Sequence, residues 1–279
     1  MSFNKFSYSK INTYKTCPQR FKINYLDKTV KPHESIEAFM GKRVHEVLEW
    51  LYNERENIGS FCTIDYLLDR YNQLWNEKWH QNIYIAKQKY TIVKKKNRKF
   101  KSYISLDRNK QIYKDIGEKC LANYYRRYTK NFNKNILGVE MKYSLKINNI
   151  IFNCIIDRID KEDNGRYIVY DYKTGKKPIS MLNASNDLQL SLYHMAIAQN
   201  FNDCKEIVLK WYFLRQDKIV TVKHSDEKIL KLENEILKYI DKIKNDKYYP
   251  AKKSILCDWC YFWEECEIMV TSNPAKRLI

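Results

Sequence analysis

Apolar positions along this chain change period once, near residue 135. Before it they recur every three or four residues. Val44, Leu48 and Leu51 do so across 35–57, Leu67, Tyr71, Leu74 and Trp75 across 64–80, and Ile112, Ile116, Cys120, Tyr124 and Tyr128 across 111–130. That spacing predicts three amphipathic helices. Nearer the start, Ser7 precedes Ile11 and Tyr14 as an N-cap precedes a short helix, which Pro18 should end or restart. After Asn135 the apolar positions alternate. Val139–Ile147, Ile150–Ile159, Tyr167–Lys173, Ile207–Leu214 and Lys218–His224 read as strands, with turns at Asn148-Asn149, Asp163-Asn164-Gly165 and Gln216-Asp217. Helical spacing returns over 184–200 (Leu188, Leu192, Met195) and 226–246 (Ile229, Leu232, Ile236, Ile243). The pattern predicts a mixed α/β fold in one unit, 1–279. Its parts are an amino-terminal segment 1–33, a helical arm 34–135, an α/β core 136–225, and a carboxy-terminal helix with a cysteine-bearing cap, 226–279.

Charge adds a partner to this picture. Lys and Arg number 51 against 33 Asp and Glu, a formal net charge of +18, which suits a polyanion such as nucleic acid. A codon bias towards Lys, Asn, Ile and Tyr would also raise the total, so distribution says more. Residues 87–110 hold ten Lys or Arg and a single Asp, interspersed with Tyr90, Phe100 and Tyr103. Such runs are ordinarily solvated, but cations between aromatics also suit a single strand, through phosphate contact and base stacking. Lys94, Lys95, Lys96, Arg98, Lys99 and Lys101 are the candidate contacts. The amino terminus has no apolar signal region and no run is long enough to span a bilayer, so a cytoplasmic protein with no membrane partner is expected. The eight cysteines are then expected as thiols or metal ligands, not disulfides.

Two groups of residues carry chemistry. Asp157 lies near the end of one expected strand and Asp171 and Lys173 near the end of the next, so a hairpin could bring them together. Two carboxylates and an ammonium can hold a divalent cation against a phosphodiester and stabilise developing charge; a solvated strand edge is the plainer alternative. The second group is Cys257, Cys260 and Cys266, with Cys17-Pro18 as the leading source of a fourth ligand. Their spacing suits a [4Fe–4S] cluster, with Trp259, Tyr261, Phe262 and Trp263 as its wall. Tetrahedral zinc and unligated thiols are the alternatives.

Asp157-Arg-Ile-Asp160 followed by Asp171-Tyr-Lys173-Thr-Gly resembles the PD-(D/E)XK nuclease signature, in the branch with RecB-type domains. Gly41-Lys-Arg-Val-His45, Gly138-Val-Glu140 and Gln189-Leu-Ser-Leu-Tyr193 resemble further motifs of that branch, in order; Cys154 stands where glycine is common. The resemblance implies a restriction-endonuclease-like central sheet flanked by helices, with His45, Asp157, Asp171 and the Tyr172 carbonyl holding Mg²⁺ or Mn²⁺. Lys173, Glu140, Gln189 and Tyr193 would serve catalysis. Ser7-Tyr-Ser-Lys-Ile through Cys17-Pro18 resembles the first element of AddB-type and CRISPR-associated exonucleases, which favours iron over zinc and a cluster tying the chain ends together. The implied activity is a DNA exonuclease at single-stranded ends, leaving 5′-phosphate and 3′-hydroxyl products, in repair, recombination or foreign-DNA processing. A structure-specific endonuclease, or a nuclease subunit beside a helicase or CRISPR-adaptation partner, is the rival within this class; no P-loop is present in the chain. A non-catalytic iron–sulfur DNA-binding module is the rival outside it.

Overall fold

In the computed structural model, which describes residues 4–54, 62–86, 90–95, 98–132, 135–270 and 276–277, the change of period near Asn135 is a change from helical arm to sheet. The chain opens with β1 (Lys5–Phe6) and α1 (Tyr8–Thr16), the latter capped by the Ser7 side chain. Pro18 restarts the helix as α2 (Pro18–Phe21), and one π-helical turn follows at Lys22–Leu26. β2 (Glu34–Ser35) leads into α3 (Ile36–Asn53), and α4 (Ile64–Lys78) follows. Next come β3 (Ile83–Ile85), an antiparallel ribbon of β4 (Tyr90–Lys95) and β5 (Arg98–Tyr103), and α5 (Leu106–Tyr128). Helices α3, α4 and α5 each start on a hydroxyl cap, Ser35, Thr63 and Ser105, accepting the N–H three residues on. Ser105 draws α5 back to Leu106 from its expected start at 111. The ribbon was masked in sequence by its charge, although Thr91, Ile92, Val93 and Phe100 are strand-forming residues.

The sheet comprises β6 (Ile136–Ile147), β7 (Ile150–Lys161) and β8 (Arg166–Lys173), then β9 (Glu206–Phe213) and β10 (Lys218–Val222) after α6 (Met181–Ala184) and α7 (Leu188–Asn200). The helix expected over 184–200 is thus two, because Asp187 caps α7 through its carboxylate. After the sheet come α8 (Asp226–Asn245) and β11 (Lys276–Arg277), the latter joining β3 and β2 in a small second sheet. Strand order is β1-β7-β8-β9-β10, with β6 also on β7. β7 and β8 are antiparallel around the Asp163–Gly165 turn, and β8 and β9 are parallel across the α6–α7 crossover. Gly165 has φ +82°, and a Cβ there would lie 2.6 Å from the Asp203 carbonyl oxygen, so both conformation and space require glycine.

Helices cover both faces. Tyr167, Val169, Leu209 and Trp211 enter one core with residues of α1, α7 and α8. Ile168, Tyr170, Tyr172, Val208 and Tyr212 enter the other with α3, α4 and α5. The strict alternation explains why β8 and β9 are nearly continuous apolar runs, as strands buried on both faces must be. A mixed sheet covered by helices on both faces is the mixed α/β architecture expected from the sequence. Among the described residues no helix is long and apolar enough to cross a membrane.

Candidate active site

The site lies where β7 exchanges neighbours. β1 pairs with it parallel at Ile151 and Phe152, and β8 pairs with it antiparallel from Arg158 onward. Asp157 falls just before β8 joins. Its Oδ2 accepts the Tyr172 N–H at 2.5 Å, taking a donor that a continuing ladder would have used. Across β6, Glu140 occupies the position opposite Asp157, between the pairs Val139↔Arg158 and Met141↔Ile156. Its φ is +47°, a left-handed conformation that costs about 1–3 kcal/mol in a non-glycine residue and clusters at functional sites. The inward alternation of β7 slips here too, since Ile156 and Ile159, three apart, both enter the first core.

His45 reaches this point from α3, its Nδ1 3.6 Å from both Glu140 Oε1 and Asp157 Oδ1. Gly41, one turn earlier, allows the approach: a Cβ there would lie 3.2 Å from Thr174 Oγ1, just beyond the end of β8. His45, Glu140 and Asp157 bring ligand atoms within 4.8 Å of one another, on a cleft of about 540 Å³. Imidazole with carboxylates suits Mn²⁺ or Mg²⁺. Burial acts to lower the His45 pKa, but Asp157 and Glu140 outweigh it and push the ring up to about 10.

Asp171 and Lys173 lie beside this triad. Asp171 is 2% exposed. Its Oδ2 is 2.5 Å from Lys173 Nζ, an ion pair without good hydrogen-bond alignment. Burial pushes the Asp171 carboxyl up to about 6, against the pull of Lys173. The lysine pKa is raised: burial would lower it, and Asp171 overrides that. From α7, Gln189 accepts from Lys173 Nζ at 3.1 Å and donates to Asp171 Oδ1 at 2.9 Å and Tyr193 Oη at 2.8 Å. Both amide hydrogens and the oxygen are thus committed, which fixes the side chain's orientation. All the carboxylates, the lysine, Gln189, Tyr193 and His45 singled out in sequence therefore meet in one region, with His45 nearest Glu140 and Asp157, and Asp171 nearest Lys173. For Tyr172 the observed polar contacts are its N–H to Asp157 and its hydroxyl to Tyr124.

Several supporting residues were not identified from sequence. Trp211, opposite Asp171 on β9, lies 5.2 Å beneath Lys173 Nζ, and Asp187 accepts the Leu190 N–H at 2.9 Å. Arg158, 2% exposed, makes two bonds to Asp160 at 2.6 and 2.8 Å. It donates to Tyr52 and Tyr124 at 2.7 and 2.8 Å, and its guanidinium lies over Tyr128 and Tyr170. Tyr124 in turn bonds the Tyr172 hydroxyl at 2.9 Å, so this cage braces the strand carrying Asp171. The signals in sequence were the abundance of tyrosine and the place of Arg158 and Asp160 within Asp157-Arg-Ile-Asp160. Arg158→Met should cost about 3–5 kcal/mol in urea unfolding, because it strands the buried Asp160 carboxylate. Adding Asp160→Leu should recover most of the loss; no recovery would mean that the cage does not act through charge.

The four cysteines singled out in sequence line one cavity, with Leu256, Trp263, Ile268 and Met269. Lys252 N–H points to Cys17 Sγ at 3.4 Å and Ser254 N–H to Cys257 Sγ at 3.3 Å. Independent contacts also join the chain ends: Gln19 N–H to the Pro250 carbonyl at 3.3 Å, and Tyr14 Oη to Asp246 at 2.7 Å. Four cysteines lining one cavity have the donor set of a four-thiolate metal centre. Trp263 is on the cavity wall and Phe262 is buried; Trp259 and Tyr261 pack against the Tyr84–Ala86–Trp263 group. Cys62, Cys120 and Cys154 are buried elsewhere and Cys204 is half-buried.

On the ribbon, Arg98, Lys99 and Lys101 are exposed, as are Ile92, Val93 and Tyr103. Lys94 and Lys95 belong to β4, and Lys96 lies outside the described residues.

A mixed sheet thus brings acidic residues and a lysine together at the fork of β7 and β8. The family model of the PD-(D/E)XK nuclease superfamily matches residues 5–267, and the chain belongs to that superfamily. It is similar to a crystal structure of a candidate exonuclease from Eubacterium rectale, at 12% identity over 92% of this chain and 86% of that chain, with a TM-score of 0.49. It is also similar to the structure of SSO0001, at 15% identity over 60% of this chain and 82% of that chain, with a TM-score of 0.34. Comparison with curated proteins gives no match.

Proposed function

We propose that this nuclease is a divalent-metal-dependent DNA exonuclease acting at single-stranded ends. The observation that carries the reading is the adjacency of two sets, His45–Glu140–Asp157 and Asp171–Lys173–Gln189, across the β7–β8 fork. His45, Asp157 and Asp171, with the Tyr172 carbonyl and Glu140 close by, would hold Mg²⁺ or Mn²⁺, which supplies Lewis-acid polarisation and an acidified water when bound. Lys173 is the group placed to meet charge developing on the phosphate. Its raised pKa keeps it an ammonium at neutral pH, so it acts as an electrostatic stabiliser and not as a base. Gln189, locked by Tyr193, holds the ammonium and the carboxylate in register. The exposed cations and apolar side chains of the ribbon support single-strand contact. The meeting of Cys17, Cys257, Cys260 and Cys266 on one cavity, with N–H···S contacts to two of them, supports a [4Fe–4S] cluster with a role in stability.

The test uses anaerobically purified protein with Mg²⁺ or Mn²⁺ on end-labelled linear single strands, linear duplexes and circular single strands. The linear single strand should shorten progressively, faster than the duplex, while the circle survives. Nicking of the circle at the same rate would replace the exonuclease with an endonuclease. No metal-dependent cleavage of any substrate would leave the non-catalytic DNA-binding module.

A further inference from the structure

Arg20 stands on α2, three residues after Cys17, on the wall of the four-cysteine cavity. Its guanidinium lies 5.6 Å from the Tyr261 ring centroid, and its Nε is buried without a hydrogen-bond partner. No carboxylate among the described residues pairs with it. Of the acidic residues near the ligand cysteines, Glu264 and Glu265 hold Lys31, and Glu267 takes the Ala251 N–H. The other cation on the cavity wall, Lys252, directs its Nζ to the Lys15 carbonyl at 3.4 Å. A buried guanidinium nitrogen with no acceptor is costly, and that cost calls for a compensating negative charge.

We propose that Arg20 is the counter-charge of a thiolate-ligated centre held by Cys17, Cys257, Cys260 and Cys266. The inference rests on reading those cysteines as ligands. Four thiolates carry more negative charge than one zinc ion or an iron–sulfur core cancels. The apolar wall of Leu256, Trp263, Ile268 and Met269 strengthens any charge interaction across the cavity. Arginine suits the task because it stays charged and is weakly hydrated, so it tolerates an apolar wall. Arg20 touches no substrate; it is a positioning residue for the centre.

The test compares wild type, Arg20→Met, Arg20→Lys and Cys17→Ser, purified anaerobically and assayed for iron, sulfide and zinc. The release rate of the bound metal to a chelator and, where sulfide is present, the reduction midpoint are then measured. Arg20→Met should release the centre roughly five- to thirtyfold faster and shift the midpoint to more negative potential. Arg20→Lys should stay within about twofold of wild type, separating charge from packing against Tyr261. Equal release rates in wild type and Arg20→Met, or Arg20→Lys failing as badly as Arg20→Met, would overturn the proposal. Zinc without sulfide in wild type would sink the cluster reading alone, and the zinc release rates would then decide the role of Arg20. A wild type holding neither metal, or Cys17→Ser holding as much as wild type, would end both.

Discussion

Asp171→Asn and Lys173→Met should each slow DNA hydrolysis by roughly 10²–10³-fold or more, yet they should differ in stability. Asp171 is 2% exposed, whereas the Lys173 side chain is 31% exposed. Lys173→Met therefore leaves a carboxylate in the core without a counter-ion, its pKa driven further up by burial, at a cost of about 1–3 kcal/mol. Asp171→Asn keeps an acceptor for Gln189 and leaves an ammonium that can turn towards water, so its cost should be a fraction of that. The double variant should be as inactive as either single one and more stable than Lys173→Met alone. Denaturant unfolding with single-turnover cleavage measures both quantities. Equal destabilisation by the two single changes would mean that burial of Asp171 is not what sets the balance, and full activity in either would remove the pair from the chemistry.

That asymmetry was not legible in the sequence, although the pair itself was. Alternation along 167–173 put Asp171 and Lys173 on one face and Tyr170 and Tyr172 on the other, and the two cores divide in that way. Local periodicity sufficed because β8 is buried on both faces, and each helix of the arm carries its own cap. What local pattern could not carry was long-range pairing. The addition of β1 to β7 depends on two residues more than a hundred positions away. The left-handed backbone of Glu140 has no signal in Gly138-Val-Glu140, because strain of that kind is imposed by the neighbouring strand. The ribbon was hidden by its lysines, and the split between α6 and α7 because the helix expected over 184–200 takes Asp187 as an interior residue and not as a cap. The Arg158–Asp160 pair stood within the quoted motif, but only the fold shows that five tyrosines from three elements surround it.

Metal binding should release about one proton per ion at neutral pH, and His45 should be its source. Asp157 and Glu140 hold the imidazolium up to about 10 against burial, whereas a metal needs the neutral ring. Affinity for Mn²⁺ should therefore rise about tenfold per pH unit through the neutral range and level off above about 10. Without added metal the sign reverses. The folded-state pKa lies above the ordinary 6.5, so the contribution of His45 to stability is complete below about 6.5 and is lost as pH rises through about 10. Titration calorimetry in buffers of different ionisation enthalpy reads the proton count, and thermal unfolding in chelator reads the stability. His45→Gln should bind Mn²⁺ roughly 10–100-fold more weakly, release no proton, and melt with a flatter dependence on pH between 6.5 and 10. A wild type that binds Mn²⁺ with no proton release would place the ion away from His45, and would leave the carboxylates at the β7–β8 fork to hold it without the histidine.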